Sequence, residues 1–261
     1  MSESSADRRR AILESVRARG YAEARALSRE LCVDGSTIRR DLAQLERAGL
    51  VRRTRGGVLP ADPADAVDTP YDVRRTQRSE VKRALGAAAA ELVEDGQSVI
   101  IDNGSTMYRV AAALRQRRNL TVITNDLMVA LCVSEHPTHQ LHMTGGVLLD
   151  TVYTLVGPGA VASLSGMHAD WAFLGAEAVH PSAGITNVNV VEIAVKQAMI
   201  EAAERVVVVA DSSKLDRRSL APVCDLAAVH AVITDDELPA DRREAYGPVL
   251  HCVPAARERR P

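Results

Sequence analysis

The chain has 261 residues, nearly half of them apolar and a quarter charged, which predicts two folded domains and excludes a largely disordered protein. Its net charge of −2 is uneven, because residues 1–60 carry +5 and the remainder carries −7, as in a polyanion-binding module joined to an acidic domain. Charges near the amino terminus, short apolar runs and four scattered cysteines argue against a signal peptide, a membrane span and a disulfide framework, and so predict a cytoplasmic protein.

The first sixty residues predict three short helices, with a tight turn between the second and the third. Their expected ranges are 6–19, 22–31 and 34–48. In the third helix, Ile38, Leu42 and Leu45 recur at the spacing that places apolar side chains on one face, where they can pack against the other two helices. Asp34 is expected to cap the start of this helix.

The opposite face of the third predicted helix is basic and polar. Arginine can bind guanine edges bidentately, and hydroxyl groups near a helix N-terminus can bind phosphates, so this face suits the major groove of double-stranded DNA. Two short strands around Gly56-Gly57 are expected to form a wing whose arginines reach the phosphate backbone. The expected DNA-binding residues are Ser36, Thr37, Arg39, Arg40, Gln44, Arg47, Arg52, Arg53 and Arg55. The alternative is a helical bundle with solvated arginines, or a winged helix that contacts proteins.

Residues 60–72 are expected to be a linker, because they hold several prolines and small or acidic residues without periodicity. Such a linker would let two copies of the amino-terminal head reach two DNA half-sites. The predicted organisation is therefore a winged helix-turn-helix domain at 1–59, this linker, and an α/β domain at 73–261.

The remainder predicts a helix at 73–94 followed by alternating strands and helices. The strands are expected at 97–102, 119–124, 139–144, 170–175, 205–210, 230–234 and 249–253, and the helices at 105–117, 126–135, 156–165 and 189–204. Alternation with solid apolar runs indicates a parallel sheet covered on both faces. Ligands of such sheets lie at the carboxyl ends of the strands.

Polar loops follow four of these strands. Residues 102–106 read Asp-Asn-Gly-Ser-Thr and lead into a helix, 124–125 read Thr-Asn, 144–146 read Thr-Gly-Gly, and 211–214 read Asp-Ser-Ser-Lys. Glycine permits close backbone approach, hydroxyl groups donate hydrogen bonds, and a helix N-terminus favours an anion. The loops together predict a site for an anionic small molecule.

Residues 33–59 resemble the signature of the DeoR family of bacterial regulators, which runs Val-Ser-x-x-Thr-Ile-Arg-Arg-Asp-Leu and closes in Arg-x-x-Gly-Gly. Asp34 stands where that family usually has serine. The later motifs, from Glu80-x-Lys82 through DNGST, TN, TGG, ADWAFLGA and Gly184-Ile185-Thr186 to DSSK, resemble its sensor domain in the same order. The resemblance covers about residues 8–235. It implies the fold of ribose-5-phosphate isomerase and the CoA transferases, with a phosphorylated sugar as effector.

The resemblance also implies roles for individual residues. Gly104, Ser105 and Thr106 would hold the phosphate group, and Lys214 would neutralise it. Sugar hydroxyls would meet polar side chains such as Asp102. The full expected effector site is Lys82, Asp102, Asn103, Gly104, Ser105, Thr106, Thr124, Asn125, Gly145, Gly146, Asp170, Ser213 and Lys214. The family more often has threonine at the position of Ser105.

This interpretation implies a repressor of sugar-metabolism genes that acts as a homodimer or homotetramer, requires no cofactor, and leaves its DNA operator when the effector binds. One alternative is a sugar-phosphate isomerase, which needs a carboxylate base beside the substrate. The candidate bases are Asp102, Asp170, Glu177 and Glu192. Glu192 lies four residues from Lys196, a spacing that is typical of a surface ion pair on a helix.

A metal-responsive regulator is the second alternative, because His136, His139 and His142 are spaced by three. Pro137 breaks a helix there, and in a strand His139 and His142 face opposite sides. No metal site is therefore predicted.

Overall fold

The computed structural model describes residues 5–47, 50–54, 56–60, 71–149 and 152–255. Contacts divide the chain between Val73 and Arg74 into two compact units, a head and a sensor domain, which are treated separately below. Arg55 and residues 61–70 of the expected linker lie outside the described residues. Both ends of that expected linker belong to regular elements, because Pro60 closes a strand and Tyr71 opens a helix.

The head has the predicted winged helix-turn-helix architecture. Its elements are α1 (Ser5–Arg19), β1 (Ala22–Glu23), α2 (Ala24–Glu30), α3 (Gly35–Arg47), β2 (Val51–Thr54) and β3 (Gly57–Pro60). The strands form an antiparallel sheet in the order β1-β3-β2. Strand β1 was not predicted. It takes the first two residues of the expected second helix, because Ala22 pairs with Val58 of the wing.

The core of the head confirms the predicted apolar face of α3. The buried side chains of this core are Ile12, Val16, Ala22, Leu27, Ile38, Leu42, Leu45, Val51 and Val58. Strands β1 and β3 approach closely at Gly57, where a Cβ atom would lie 2.5 Å from the carbonyl oxygen of Ala22. Glycine at this position therefore lets the wing pack against the helices.

The single helix predicted at 73–94 is two helices in the structure, α4 (Tyr71–Thr76) and α5 (Ser79–Glu91). They are interrupted at Arg78, whose φ of 50° lies in the left-handed region. The guanidinium of Arg78 lies 3.2 Å from Asp211 and 3.0 Å from Asp235. The break between α4 and α5 thus coincides with long-range ion pairs, and the helical periodicity of the sequence does not indicate it.

The sensor domain is built on the predicted parallel sheet. Its strands are β4 (Ser98–Ile101), β5 (Thr121–Thr124), β6 (Gln140–Met143), β9 (Ala169–Leu174), β12 (Ala203–Val209), β14 (Ala231–Asp235) and β15 (Leu250–Val253), in the order β15-β14-β12-β9-β4-β5-β6. The helices that follow α5 are α6 (Ser105–Ala113), α7 (Leu127–Ser134), α8 (Pro158–Leu164), α9 (Ile193–Glu201) and α10 (Ala240–Arg243). Every pairing in this sheet is parallel.

Both faces of the sheet are covered, as its apolar strands predict. Val99 and Ile101 face a core that includes α5, α6 and α7, whereas Ile100 faces a core that includes α8 and α9. No helix in the described part of the chain is long and apolar enough to cross a membrane.

Short antiparallel strands that the sequence did not predict lie outside this sheet. They are the hairpin β7 (Val147–Leu149) and β8 (Thr154–Val156), and the small sheet of β10 (Ala178–His180), β11 (Gly184–Asn187) and β13 (Ala221–Cys224). The helix expected at 156–165 accordingly starts later, at Pro158. Strands of three or four residues are too short for alternation to be recognised.

Candidate functional site

The basic face of α3 is exposed on the head. Asp34 caps the helix, as predicted, because its Oδ1 accepts a hydrogen bond of 2.6 Å from the backbone N–H of Ser36. The pKa of Asp34 lies below its ordinary value, mainly because of a hydrogen bond with the side chain of Ser36 and secondly because of this backbone hydrogen bond. Arg39 and Arg40 are exposed on the first turns, while Ser36 and Thr37 are half-buried.

Helix α3 is fixed to α1 by polar contacts on its other side. Asp41 is buried and accepts a hydrogen bond of 2.6 Å from Arg8 Nε. Gln44 is exposed, and its Oε1 accepts a hydrogen bond from Arg9 of α1. These contacts set the direction in which the arginines of α3 point. Arg47 is exposed at the last turn of the helix.

The wing places two further arginines at the surface, Arg52 and Arg53 on β2. The backbone N–H of Arg53 donates to Glu46 at 3.1 Å, so the wing is tied to the end of α3. Arg55 was also predicted to bind DNA and lies outside the described residues.

In the sensor domain, the loop after β4 is held by a carboxylate that the sequence did not single out. Asp126 accepts hydrogen bonds from the backbone N–H groups of Met128 and Val129 at the start of α7, and from that of Gly104 at 2.8 Å. Burial is the main cause of the raised pKa of Asp126. Because the N–H of Gly104 is already bound, this glycine contributes its φ of 111° to the loop rather than a free donor. Thr124, buried at the end of β5, accepts a hydrogen bond from the N–H of Asp126.

Lys82 contacts Ser105 at the start of α6, and Lys214 and Arg74 lie near Lys82. Lys82 on α5 is 7% exposed, and its Nζ donates to Ser105 Oγ at 3.0 Å and to the carbonyl oxygen of Arg74 at 2.7 Å. Burial lowers the pKa of Lys82 to about 8, and the nearby Lys214 and Arg74 act in the same direction. Lys82 therefore loses its charge more readily than an ordinary lysine.

Glu177, in the loop after β9, is the counter-ion of two of these cations. Its Oε2 lies 3.0 Å from Lys214 Nζ, and its Oε1 lies 3.4 Å from Arg74 Nη1. Lys214, with a smaller contribution from Arg74, lowers the pKa of Glu177 to about 2. Ser213 also lies in this region, and its hydroxyl and backbone N–H donate to Asp211.

A second ion pair lies deeper, between Lys196 on α9 and Asp102 at the end of β4. Both side chains are almost completely buried, and Asp102 Oδ2 also accepts the N–H of Gly175 at 2.9 Å. Burial opposes the charge of Lys196, but the carboxylates of Asp102, Glu192 and Glu177 raise its pKa. The surface pair expected between Glu192 and Lys196 is therefore wrong, because both residues are buried and Lys196 binds Asp102.

Glu192 binds amide groups beside this pair. Its carboxylate oxygens lie 3.4 Å from Asn103 Nδ2 and 2.9 Å from Asn187 Nδ2. Among the described residues, several buried oxygen atoms near the ends of the strands have no hydrogen-bond partner, including Asp102 Oδ1, Asn125 Oδ1 and Thr144 Oγ1. Buried acceptors without partners are costly, so they are suited to bind hydroxyl groups of a ligand.

Some predicted residues do not join this site. Asp170 lies at the start of β9, at the opposite edge of the sheet, where it accepts hydrogen bonds from the N–H and hydroxyl of Ser98 at 2.7 and 2.6 Å. Its assignment to the effector site is therefore corrected. Gly145 and Gly146 follow β6 but pack against the elements around α8, since a Cβ at Gly146 would lie 2.5 Å from the carbonyl oxygen of Val156.

The histidines considered for a metal site lie elsewhere on the surface. His136 and His139 stack with their ring centroids 3.8 Å apart, and His139 Nδ1 accepts a hydrogen bond from the N–H of Leu120. Within the described ranges, no cluster of three or more histidine, cysteine or acidic side chains is arranged to hold a metal ion.

Comparison with known proteins decides the family. A family description named "DeoR-like helix-turn-helix domain" matches residues 8–63, and one named "DeoR C terminal sensor domain" matches residues 77–236. The chain belongs to the DeoR family. Members of this family among its relatives include the regulator GlpR of Haloferax volcanii, which is 36% identical over 92% of this chain and 93% of its own length. The glycerol-3-phosphate regulon repressor of Escherichia coli K12 is 30% identical over 87% of this chain and 90% of its own length.

This DeoR-family protein is thus a DNA-binding transcriptional regulator, not an enzyme. Among solved structures, it is similar to ribose 5-phosphate isomerase A from Neisseria gonorrhoeae, with a TM-score of 0.40 and 19% identity over 55% of this chain and 56% of the other. That likeness has no bearing on activity.

Sequence reasoning missed several charged residues of the DeoR sensor domain. They are Arg74, Arg78 and Asp126, while Glu177 and Lys196 were considered only as a catalytic base and as the partner in a surface ion pair. Lys196 comes to the loops from α9, and Arg74 from the helix before the sheet, so neither follows a strand. For Lys196 an indication was available, because it is an ionisable residue on a helix otherwise rich in apolar and small side chains.

Proposed function

We propose that this protein represses sugar-metabolism genes by binding an operator, and that a phosphorylated sugar bound at the carboxyl ends of the sheet strands relieves repression. The observation that carries the proposal is a cation group made by Lys82, which donates to Ser105, and by Lys214 and Arg74, which share Glu177. An anion with several charged oxygens can bind two or three of these donors at once.

The neighbouring acceptors fit the rest of such a molecule. Asp102 Oδ1, Asn125 Oδ1 and Thr144 Oγ1 are buried and unpaired, and they can accept hydrogen bonds from sugar hydroxyls. A phosphate group alone has no hydrogen-bond donor of this kind. The combination of cations on one side and oxygen acceptors on the other therefore favours a phosphorylated polyol or sugar.

The action on DNA rests on the head. Exposed Arg39 and Arg40 on α3 would contact base edges, with Ser36 and Thr37 at phosphates and the wing arginines Arg52 and Arg53 along the backbone. A relative named as the glycerol-3-phosphate regulon repressor supports repression as the direction of control. We further propose a homodimer or homotetramer acting in the cytoplasm, because two heads are needed to read two half-sites.

A thermal-shift screen of the full chain against phosphorylated sugars tests the proposal. A molecule that binds only the folded state raises the unfolding temperature by mass action. We expect a sugar phosphate to raise it and the corresponding unphosphorylated sugar to leave it unchanged. If no phosphorylated compound shifted the transition, the effector assignment would be wrong.

The variant Lys214→Ala tests whether effector binding and DNA binding are separate functions of the two units. This variant should lose the response to the sugar phosphate and should still bind a duplex selected from a random DNA pool on the wild-type protein. A fluorescence-anisotropy titration of that duplex, with and without the sugar phosphate, measures both properties. An unchanged response in Lys214→Ala would contradict the assigned phosphate position.

A further inference from the structure

Arg74 is incompletely bound by the protein. Its Nη1 lies 3.4 Å from Glu177, at the long end of the range for a hydrogen bond, while its Nε and Nη2 are buried and have no hydrogen-bond partner in the part of the chain that the structure describes. An unpaired buried donor on a charged group costs free energy, and arginine cannot lose its proton to avoid that cost. The guanidinium is therefore positioned to bind something that this structure does not contain.

The surroundings of Arg74 define the chemistry of that partner. The carbonyl oxygen of Arg74 accepts the hydrogen bond from Lys82, whose Nζ also binds Ser105. Glu177 connects Arg74 to Lys214. Arg74 is thus linked to Lys82 directly, through its backbone carbonyl, and to Lys214 through the carboxylate of Glu177. The Nε and Nη2 atoms form the edge of the guanidinium that binds two oxygens of one phosphate or carboxylate in parallel.

Glu177 provides the counter-charge for this edge of the site. Its carboxylate is shared by two cations, at 3.0 and 3.4 Å, and about a third of it is exposed to solvent. A phosphate placed between Lys82, Lys214 and Arg74 would compete with this carboxylate for both of its partners. The two anions would also repel each other.

We propose that Arg74 binds the anionic group of the effector directly through Nε and Nη2, and that Glu177 is the internal anion with which this group competes. The inference rests on the proposed function, because it places a phosphorylated effector in this site. Arg74 is the first residue of the sensor domain and lies on α4.

Isothermal titration of the full chain with glycerol 3-phosphate, inorganic phosphate and glycerol tests the inference. Arg74→Gln should weaken binding of glycerol 3-phosphate and of inorganic phosphate at least tenfold, and Arg74→Lys should recover only part of the loss, because lysine lacks the planar pair of donors. Arg75→Gln is the matched control, since it removes the same charge from the next, exposed position and should change affinity less than twofold. Glycerol, which has no anionic group, should not bind detectably to any variant.

Glu177→Gln supplies an independent test that does not disturb Arg74. Removing the competing carboxylate should increase the affinity for both phosphates severalfold, a gain that damage to the fold would not produce. If Arg74→Gln and Arg75→Gln behaved alike, or Glu177→Gln bound more weakly than the wild type, the inference would be overturned. If neither phosphate bound the wild-type protein and the sugar-phosphate screen also found none that did, the proposed function itself would fail.

Discussion

The two units of this protein use charge in opposite ways. In the head, Arg39 and Arg40 project from a core made of aliphatic side chains, and solvent screens them until DNA replaces it. In the sensor domain, Lys82, Lys196 and Asp102 are buried at the ends of strands. An exposed charge needs no partner in the folded chain, whereas a buried one must be compensated.

That difference explains why the sensor site contains its own counter-ions. Lys196 is paired with Asp102, and Lys214 and Arg74 share Glu177. A ligand entering this site exchanges one set of ion pairs for another, so its binding can alter the protein. DNA approaching the head meets arginines whose charge is screened mainly by water and salt, so binding there is governed by counter-ion release.

The largest expected effect concerns the buried pair. Lys196→Met should lower the free energy of unfolding by about 3–5 kcal/mol, because Asp102 would keep a buried charge without its partner. Urea unfolding followed by circular dichroism measures this change.

Two companion variants sharpen that test. Lys214→Met removes the same group from a partly exposed pair and should cost at most about 1 kcal/mol. The double variant Asp102→Asn with Lys196→Met should recover part of the lost stability, since Asp102 no longer keeps a buried charge, while the buried carboxylate of Glu192 still lacks this cation. If Lys196→Met and Lys214→Met lowered the free energy of unfolding equally, the expected difference between buried and partly exposed ion pairs in this domain would be wrong.

A smaller effect is expected at the surface of the head. Arg40→Ala should weaken binding to the selected duplex by about 1–3 kcal/mol and leave the free energy of unfolding nearly unchanged, because the side chain is exposed. Arg10→Ala, on the exposed side of α1, is the control for loss of a positive charge. Equal weakening by both changes in a mobility-shift assay would mean that α3 does not read the groove.

The smallest expected effect is a pH dependence of effector binding. Lys82 binds an anion best when it is charged, and its pKa of about 8 means that the charge is lost as the pH rises from 7.5 to 9.5. The affinity for glycerol 3-phosphate should fall more than about tenfold across this range, in which the phosphate itself stays dianionic. Lys82→Gln should bind weakly with a flat profile. A wild-type profile as flat as that of the variant would exclude a role for this ammonium.

The same contrast determines what the sequence could predict. Ile38, Leu42 and Leu45 mark the buried face of α3, and the exposed arginines follow by geometry alone because they need no partners. The parallel sheet was predictable for a similar reason, since strands such as β12 are solidly apolar. The local sequence pattern is sufficient to predict an element when one of its faces meets water or when both of its faces meet a core.

The charged network of the sensor domain could not be predicted in this way. Lys196 and Asp102 are 94 positions apart in the chain, and Arg78 and Asp235 are 157 apart. Asp170 shows the converse error, because a polar residue in a matching motif lies at the wrong end of its strand. The order of the strands in the sheet determines which carboxylate lies beside which cation. The periodicity of the sequence does not indicate that order.

The hydrogen bond from Gly104 to Asp126 has a consequence for the energetics of recognition. Since Asp126 also caps α7, the loop after β4 is immobilised by the protein before any ligand arrives. Ordering a flexible loop on binding would cost affinity, and this loop is spared that entropy. The loop after β4 is therefore preorganised, which leaves any rearrangement on binding to the side chains of Lys82, Lys214 and Arg74.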